Sequence, residues 1–272
     1  MKRENHIQQE QVENNSSSGS SVTDRRIITD NHTLFEHYSS LTRGDVVVGR
    51  IRVRETEEYL LVDLVERGVR LIPSALSQLA CRSKSLQTTL FADYMLPCTY
   101  AVHDLYELRS AMESLADQPA GKIVTKQDRK NAGQGIHLWS SLEEVFSLAS
   151  LGVMPFPFVI QPFCPDSRDI RVIILGDYRE AYTRVNPNNF RQNLHCGGES
   201  RSCELSASQN ELCKAVMKRG NFPYAHLDLM VTETGETYLA EINLRGGLRG
   251  ATIISTEYNE RVAAIHDHLL AA

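Results

Sequence analysis

The segment from Ala225 to Arg245, AHLDLMVTETGETYLAEINLR, constrains the chain most tightly. Two alternating stretches flank Thr234-Gly235, the pattern of antiparallel strands paired about a tight turn. A loop of two residues, or of four centred on the same pair, sets Asp228 directly across from Glu241. One face then carries His226, Asp228, Met230, Leu239, Glu241 and Asn243. The other carries Leu227, Leu229, Val231, Tyr238, Ala240, Ile242 and Leu244, and reads as core. Carboxylates opposed across neighbouring strands repel unless something lies between them. A hard divalent cation removes that objection, and Asp, Glu and Asn oxygens are ligands Mg²⁺ accepts. So few protein ligands leave coordination positions for phosphate and water, the way nucleotide-bound Mg²⁺ is held.

At 272 residues, 42% hydrophobic and 23% charged, the chain is long enough for one large or two small domains with a substantial core. The net charge of −5 offers no basic field to nucleic acid. No apolar run reaches the roughly eighteen residues of a membrane-spanning helix. The N-terminal MKRENHIQQEQVENN lacks the apolar stretch of a secretory signal. Cys81, Cys98, Cys164, Cys196, Cys203 and Cys213 form no CxxC and no regular framework, which fits a reduced, cytoplasmic setting. His195, Cys196 and Cys203 match no common zinc spacing and read as unpaired thiols beside a histidine.

Residues 1–32 are polar, with NNSSSGSS at 14–21, and read as a disordered tail. Residues 33–80 read as a small α/β unit: DVVVGRI is a strand, TEEYLLVDLVERG a helix stopped by Gly68, and VRLIPSA a second strand. A helix follows over about 83–94, and another opens at Asp104 with Glu107 in the capping-box position. GKIVTKQ and IHLW are strands on either side of the polar loop 128–135. Ser141 and Glu144 cap a helix that stops near Gly152. FVIQPF is a buried strand, and RDIRVIILGDYREAYTRV a hairpin about Gly176-Asp177. Helices are expected near 207–219 and over about 256–270. The fold class is α+β, with subdomains around a ligand cleft.

In the 168–185 hairpin, Asp169 faces Arg184 and Arg171 faces Tyr182. Alone, that pattern reads as a solvated cross-strand ion pair worth little; in a cleft, two guanidiniums suit phosphate or carboxylate. Lys126 ends a strand just before Gly133-Gln134-Gly135. A lysine at a strand end is common on surfaces, but beside a glycine loop whose amides can cover phosphates it suits a nucleotide. FRQNLHCGG, residues 190–198, reads as a turn unless Arg191 and Asn193 enter the same cleft as Asp228 and Glu241. His226 suits a supporting hydrogen bond.

Taken in order, Lys84 on its helix, Lys126 with the glycine loop, VIQPF, RDIRV, FRQNLHCGG, Asp228 and EIN resemble the ATP-grasp superfamily. The nearest branch is the RimK-like one, with the ribosomal-protein glutamate ligases and the lysine-biosynthesis ligases. The resemblance spans roughly residues 70–272. It implies an ATP-grasp fold, with a lid subdomain at 81–157 and a metal-binding subdomain at 158–272, behind a shortened α/β unit. It implies ATP and one or two Mg²⁺ as cofactors, with Mn²⁺ an allowed substitute. Lys84, Lys126, Gly133 and Gly135 are expected at the phosphates, and Gln161, Pro162 and Phe163 at the adenine hinge. Asp169 is expected near the ribose, and Arg171, Arg191 and Asn193 at the transferred phosphate. Asp228, Glu241 and Asn243 are expected to hold the metal, while Arg184, Arg245 and Gly246 are candidates for the substrate. The activity implied is amide or peptide bond formation between a carboxylate and an amine through an acyl phosphate. Its partners are an amino acid, a peptide or a protein tail, without nucleic acid or membrane, and a homo-oligomer is allowed. A non-catalytic ATP-binding module and a phosphotransferase are the alternatives. The loop QDRKNAGQG is more charged than the family's, and LRGGLRG departs from the glutamate ligases' continuation, so glutamate is not the assumed substrate.

Overall fold

The structure, a computed structural model, describes residues 25–115, 121–130, 133–186, 189–190 and 198–272. Three sheets organise them. The first is parallel, in the order β1 (Ile27–Ile28), β2 (Val46–Val48), β3 (Arg70–Ile72). Helices α1 (Asn31–His37) and α2 (Tyr59–Glu66) pack on it around Leu34, Leu61 and Leu64. Gly68, at φ 80°, ends the α2 segment in the left-handed region that the sequence stop implied. Ile27 and Ile28 pair with Val46 and Val47, and the Asp30 carboxylate caps α1 by accepting from the Thr33 amide. Residues 27–32, inside the stretch expected as tail, therefore belong to the first sheet and its helix. A two-residue strand is too short to leave a periodic signal in a polar segment.

The connection after β3 carries α3 (Ala75–Ala80) and α4 (Lys84–Leu90). The second sheet, in the order β4 (Tyr100–Val102), β7 (Phe158–Pro162), β5 (Ile123–Gln127), β6 (Ile136–Trp139), is antiparallel. Its apolar face is covered by α5 (Leu105–Leu115) and α6 (Leu142–Ser150), through Leu108, Ala111, Val145 and Ala149. Ser141 caps α6 by accepting from the Glu144 amide, as expected, but the Glu144 carboxylate accepts from the amide of Ser140, one residue before the cap, so the reciprocal half of the expected box is not formed.

The third sheet is antiparallel: β10 (Glu199–Ser202), β9 (Tyr178–Val185), β8 (Arg168–Leu175), β11 (Tyr224–Val231), β12 (Thr237–Asn243). Its core face, with Val172, Leu227, Leu229 and Ile242, packs with Val216 of α7 (Ala207–Arg219) in the largest apolar cluster. The last helix, α8 (Ser255–Ala271), starts at this sheet with Tyr258 and ends against the first, where Leu269 and Leu270 meet Val46, Val48 and Ile72. Edge strand β12 is covered by a side chain. Gln87 of α4 donates to the Ile242 carbonyl and accepts from the Ile242 amide, both at 3.0 Å. An edge strand's free backbone groups need such partners when buried.

The β11–β12 connection occupies residues 232–236, with Gly235 at φ 88°. This odd-length loop shifts the register by one beside the turn, where Leu229 faces Leu239 and Met230 faces Tyr238. A bulge at Ala240 absorbs the shift, so Asp228 faces Glu241 and His226 faces Asn243 as expected. The expected faces are corrected at three positions. Ala240, the bulged residue, lines a cleft rather than the core. Leu239 is buried in the core at 2% exposure, and Tyr238 pairs on the face of Met230.

Candidate active site

Registers of the third sheet align four side chains in one row: Tyr182, Arg171, Asp228 and Glu241, from β9, β8, β11 and β12. The next row is Arg184, Asp169, Met230 and Tyr238. Alternation along each strand turns both rows away from the core and towards the second sheet. Between them lies a cleft of about 1320 Å³, lined from the third sheet by Asp169, Arg171, Arg184, Asp228, Glu241 and Asn243 and from the second by Lys126 and Gln161.

Guanidiniums knit the rows together. Arg171 binds Asp228 through Nε at 2.6 Å and Nη2 at 2.8 Å. Arg184 binds Asp169 at 2.5 and 2.9 Å and reaches Asp228 Oδ2 at 3.0 Å. The reading of Arg184–Asp169 as a solvated surface pair is overturned, since Arg184 is only 8% exposed. Burial acts to raise the Asp228 pKa, but Arg171 and then Arg184 outweigh it, and the group is held well below the ordinary carboxylate range. Asp169 moves the other way: burial pushes it up to about 6, beyond what Arg184 offsets, and the Asp228 charge adds to the rise.

Lys84 reaches Glu241 by way of α4. Gln87 anchors that helix on Ile242, and one turn earlier Lys84 Nζ comes 3.5 Å from Glu241 Oε1 and donates to the Lys130 carbonyl at 2.6 Å. The facing acids are thus neutralised separately, Asp228 by two arginines and Glu241 by a lysine. Mutual repulsion by itself does not demand a metal.

The donor set still fits a hard cation. Asp228 and Glu241 are opposed acids with the Asn243 amide on the same face, and a carboxylate has about four acceptor positions, of which Asp228 uses three. Among the described residues no three His, Cys, Asp or Glu side chains converge on a point, so a cation here would complete its shell from outside the protein.

Lys126 projects from β5 beside these acids. Loss of hydration pushes its ammonium down to about 8, partly restored by Glu241 and lowered further by Lys84. Gln161, Pro162 and Phe163, from β7 and its end, line the cleft, as does Gly133. Gly135 sits under the loop instead: at φ 75°, a Cβ there would come 2.6 Å from the Gln127 Cβ. It shapes the β5–β6 turn. Arg245 and Gly246 line the cleft after β12. His226 is buried, its Nε2 lies 3.1 Å from the Tyr258 hydroxyl, and burial and then Arg171 push it down to about 4, so it is neutral. That matches a supporting rather than a catalytic role. Arg191, Asn193, His195 and Cys196 lie outside the described residues, and the other five cysteines are free.

Three features went unread in the sequence. The Tyr182 hydroxyl is buried on the cleft wall without a hydrogen-bond partner among the described residues. Arg50, Arg52 and Arg82 bring the first sheet's end to the cleft, and Arg249 joins them from the chain after β12. Arg129, at φ 58°, ties the glycine loop to the first unit through Glu58 at 2.6 Å and Glu55 at 3.0 Å. No helix among the described residues is long and apolar enough to cross a membrane.

The chain is similar to several known proteins. A glutathione synthetase of Agrobacterium fabrum is 27% identical over 186 residues, 61% of this chain and 55% of that protein. A "Probable alpha-L-glutamate ligase" of Coxiella burnetii is 26% identical over 226 residues, 79% of this chain and 73% of that one. The chain spans about half the length of the glutathione synthetases it matches. Among solved structures, D-cycloserine synthetase DcsG superposes with a TM-score of 0.59 at 16% identity, covering 82% of this chain and 84% of that one. The ATP-grasp ligase PsnB, complexed with a phosphomimetic variant of its minimal precursor, Mg and ADP, gives 0.54 at 15%, covering 81% and 77%. These likenesses establish the ATP-grasp fold. The family model for the RimK-like ATP-grasp domain matches residues 84–265, and the chain belongs to that family.

Proposed function

We propose that the protein is an ATP-dependent carboxylate–amine ligase. A substrate carboxylate takes the γ-phosphoryl group of ATP, giving an acyl phosphate and ADP; an amine then displaces phosphate and leaves an amide. Such chemistry needs in-line positioning and positive charge where negative charge gathers, and no side-chain nucleophile. The observation that carries the proposal is the Tyr182–Arg171–Asp228–Glu241 row facing Lys126 across the cleft. It joins fixed cations to ionised oxygen donors in a volume suited to a nucleotide and a small second substrate.

Lys126 and Arg171 meet the phosphates, with Arg191 and Asn193 expected beside them. Lys84 orients Glu241 and backs the same charge. Pro162 and Phe163 bracket the base, and Asp169 lies towards the ribose. Asp228, Glu241 and Asn243 are the residues to hold Mg²⁺, which when bound neutralises charge on the phosphates. The glycine loop around Gly133 covers the phosphates and excludes water, protecting an acyl phosphate from hydrolysis. Support comes from the family membership and from relatives named as ligases.

A screen of ADP release over amino acids and peptides, with product masses, tests the proposal. ADP formation requiring both an acid and an amine, with a product heavier by the amine less water, is expected. A phosphorylated product would replace the ligase with a phosphotransferase. Nucleotide binding without turnover on any pair would leave only a binding module.

A further inference from the structure

The cleft's charges do not balance internally. Lys126 and Arg168 line it without a carboxylate ion pair among the described residues, and a further group of arginines comes from the end of the first sheet and the chain after β12. Among the described residues, every carboxylate on its wall already has a cation: Asp169 and Asp228 have Arg184 and Arg171, Glu241 has Lys84, and Glu55 and Glu58 have Arg129. Arg50, Arg52, Arg245 and Arg249 also line the cleft, and no carboxylate among the described residues pairs with any of them. Arg50 and Arg245 converge: both charges bear on the hydroxyls of Tyr224 and Tyr258, and Arg245 lies 5.9 Å over the Tyr258 ring. Arg82, next to them in the field of Arg50, has a buried Nη1 without a hydrogen-bond partner.

Arg50 and Arg52 lie just beyond Gly49 after β2, past the carboxyl end of a parallel strand, where open α/β sheets present their ligands. They precede the matched family domain, which begins at residue 84. Arginine forks bind carboxylates bidentately, and each carboxylate can take two forks. Four unpartnered guanidiniums therefore match about two carboxylates.

We propose that this end of the cleft, built by Arg50, Arg52, Arg245 and Arg249, is a polycarboxylate subsite, so that the substrate carries at least two carboxylates besides the one that reacts. It rests on the ligase proposal for the identity of the reacting group, but the subsite is testable by binding alone. A peptide bearing several acidic side chains and a free tricarboxylic acid present the same chemistry.

Titration calorimetry of the full chain, with Mg²⁺ and a non-hydrolysable ATP analogue present, separates the outcomes. The probes are the tripeptide of three glutamates, its glutamine counterpart, and propane-1,2,3-tricarboxylate. At least one acidic probe is expected to bind about tenfold or more tighter than the glutamine peptide, with the gap shrinking in about 0.5 M salt. Which acidic probe binds identifies the source. Arg50→Gln and Arg245→Gln should each weaken that binding about tenfold while affinity for the ATP analogue stays at the wild-type value, which also reports an intact fold. Equal binding of the glutamine peptide, no binding of either acidic probe, or wild-type affinity in both variants would overturn the subsite. Acid binding that persists without ADP release on any acid–amine pair would sink the ligase and leave the subsite standing.

Discussion

Replacing Glu241 with Gln separates what this residue does for folding from what it does for chemistry. The ammonium of Lys84 stands 3.5 Å from Glu241 Oε1, and the Glu241 side chain is 26% exposed. At that distance an effective dielectric near 20 gives about 5 kcal/mol of raw attraction. Desolvation, ordering of two long side chains and partial exposure remove most of it, leaving at most about 1 kcal/mol net. For a chain of this size that is a Tm change of about 2–4 °C. Glutamine keeps the shape and the bulge at Ala240, so β12 stays in register. The chemistry should respond differently, because the substitution removes one of two facing acids from the oxygen set proposed for the metal. Loss of a preorganised charge of this kind costs about 10²–10³ in turnover, or roughly 3–4 kcal/mol. The assay pairs thermal unfolding with steady-state ADP release on a substrate pair found in the screen. Wild-type turnover in Glu241→Gln would refute the assignment, and a collapse in stability would mean that the pair with Lys84 had been undervalued.

Other expectations follow from individual contacts. Lys126, pushed down to about 8, should make nucleotide affinity fall as pH rises through 8, since the neutral amine gives phosphate no charge; Lys126→Arg should flatten that profile, and calorimetry across pH 7–10 checks it. The stability linkage has the same origin: folding favours the neutral form, so the protonated lysine opposes folding below about 8 and that opposition fades towards the ordinary value of 10.5. Gln87→Leu strands the amide and carbonyl of Ile242 in a buried setting and should cost about 3 kcal/mol by denaturant titration, with turnover falling in the folded fraction as Lys84 loses its placement. Gly246→Ala puts a methyl 2.7 Å from His226 Nδ1 and 3.0 Å from Arg171 Nη1, so kcat should drop while Tm moves by only a few degrees, as paired kinetics and melting would report.

What could be read from the chain and what could not differ for physical reasons. The β8–β9 hairpin was legible to the residue because Gly176-Asp177 is a two-residue turn, and such turns leave no freedom of register; the pairs Asp169–Arg184 and Arg171–Tyr182 follow. The β11–β12 pairing was legible at Asp228–Glu241 but not beside the turn. Residues 232–236 close through hydrogen bonds from the Thr232 amide to the Glu236 carbonyl and from the Gly235 amide to the Thr232 carbonyl, an odd-length loop that alternation alone does not reveal. Strand alternation also cannot tell which neighbour neutralises an acid, because that partner lies on a different element. Lys84 reaches Glu241 only because Gln87 locks α4 to Ile242. Arg50 and Arg52 carried a signal, a pair of cations at the end of a parallel strand, but no motif marked it. Arg184 seemed a surface residue because pairing tells which residues are opposed, not how deeply they are covered.

The central claim is that a carboxylate is activated by phosphorylation in the cleft above the Arg171–Asp228–Glu241 row. Single-turnover reaction of MgATP with a substrate acid labelled with ¹⁸O in its carboxylate, in the presence of the amine, tests it directly by the mass of the released phosphate. One labelled oxygen carried from the carboxylate into inorganic phosphate is the predicted result. Unlabelled phosphate alongside a completed amide would contradict the acyl-phosphate route.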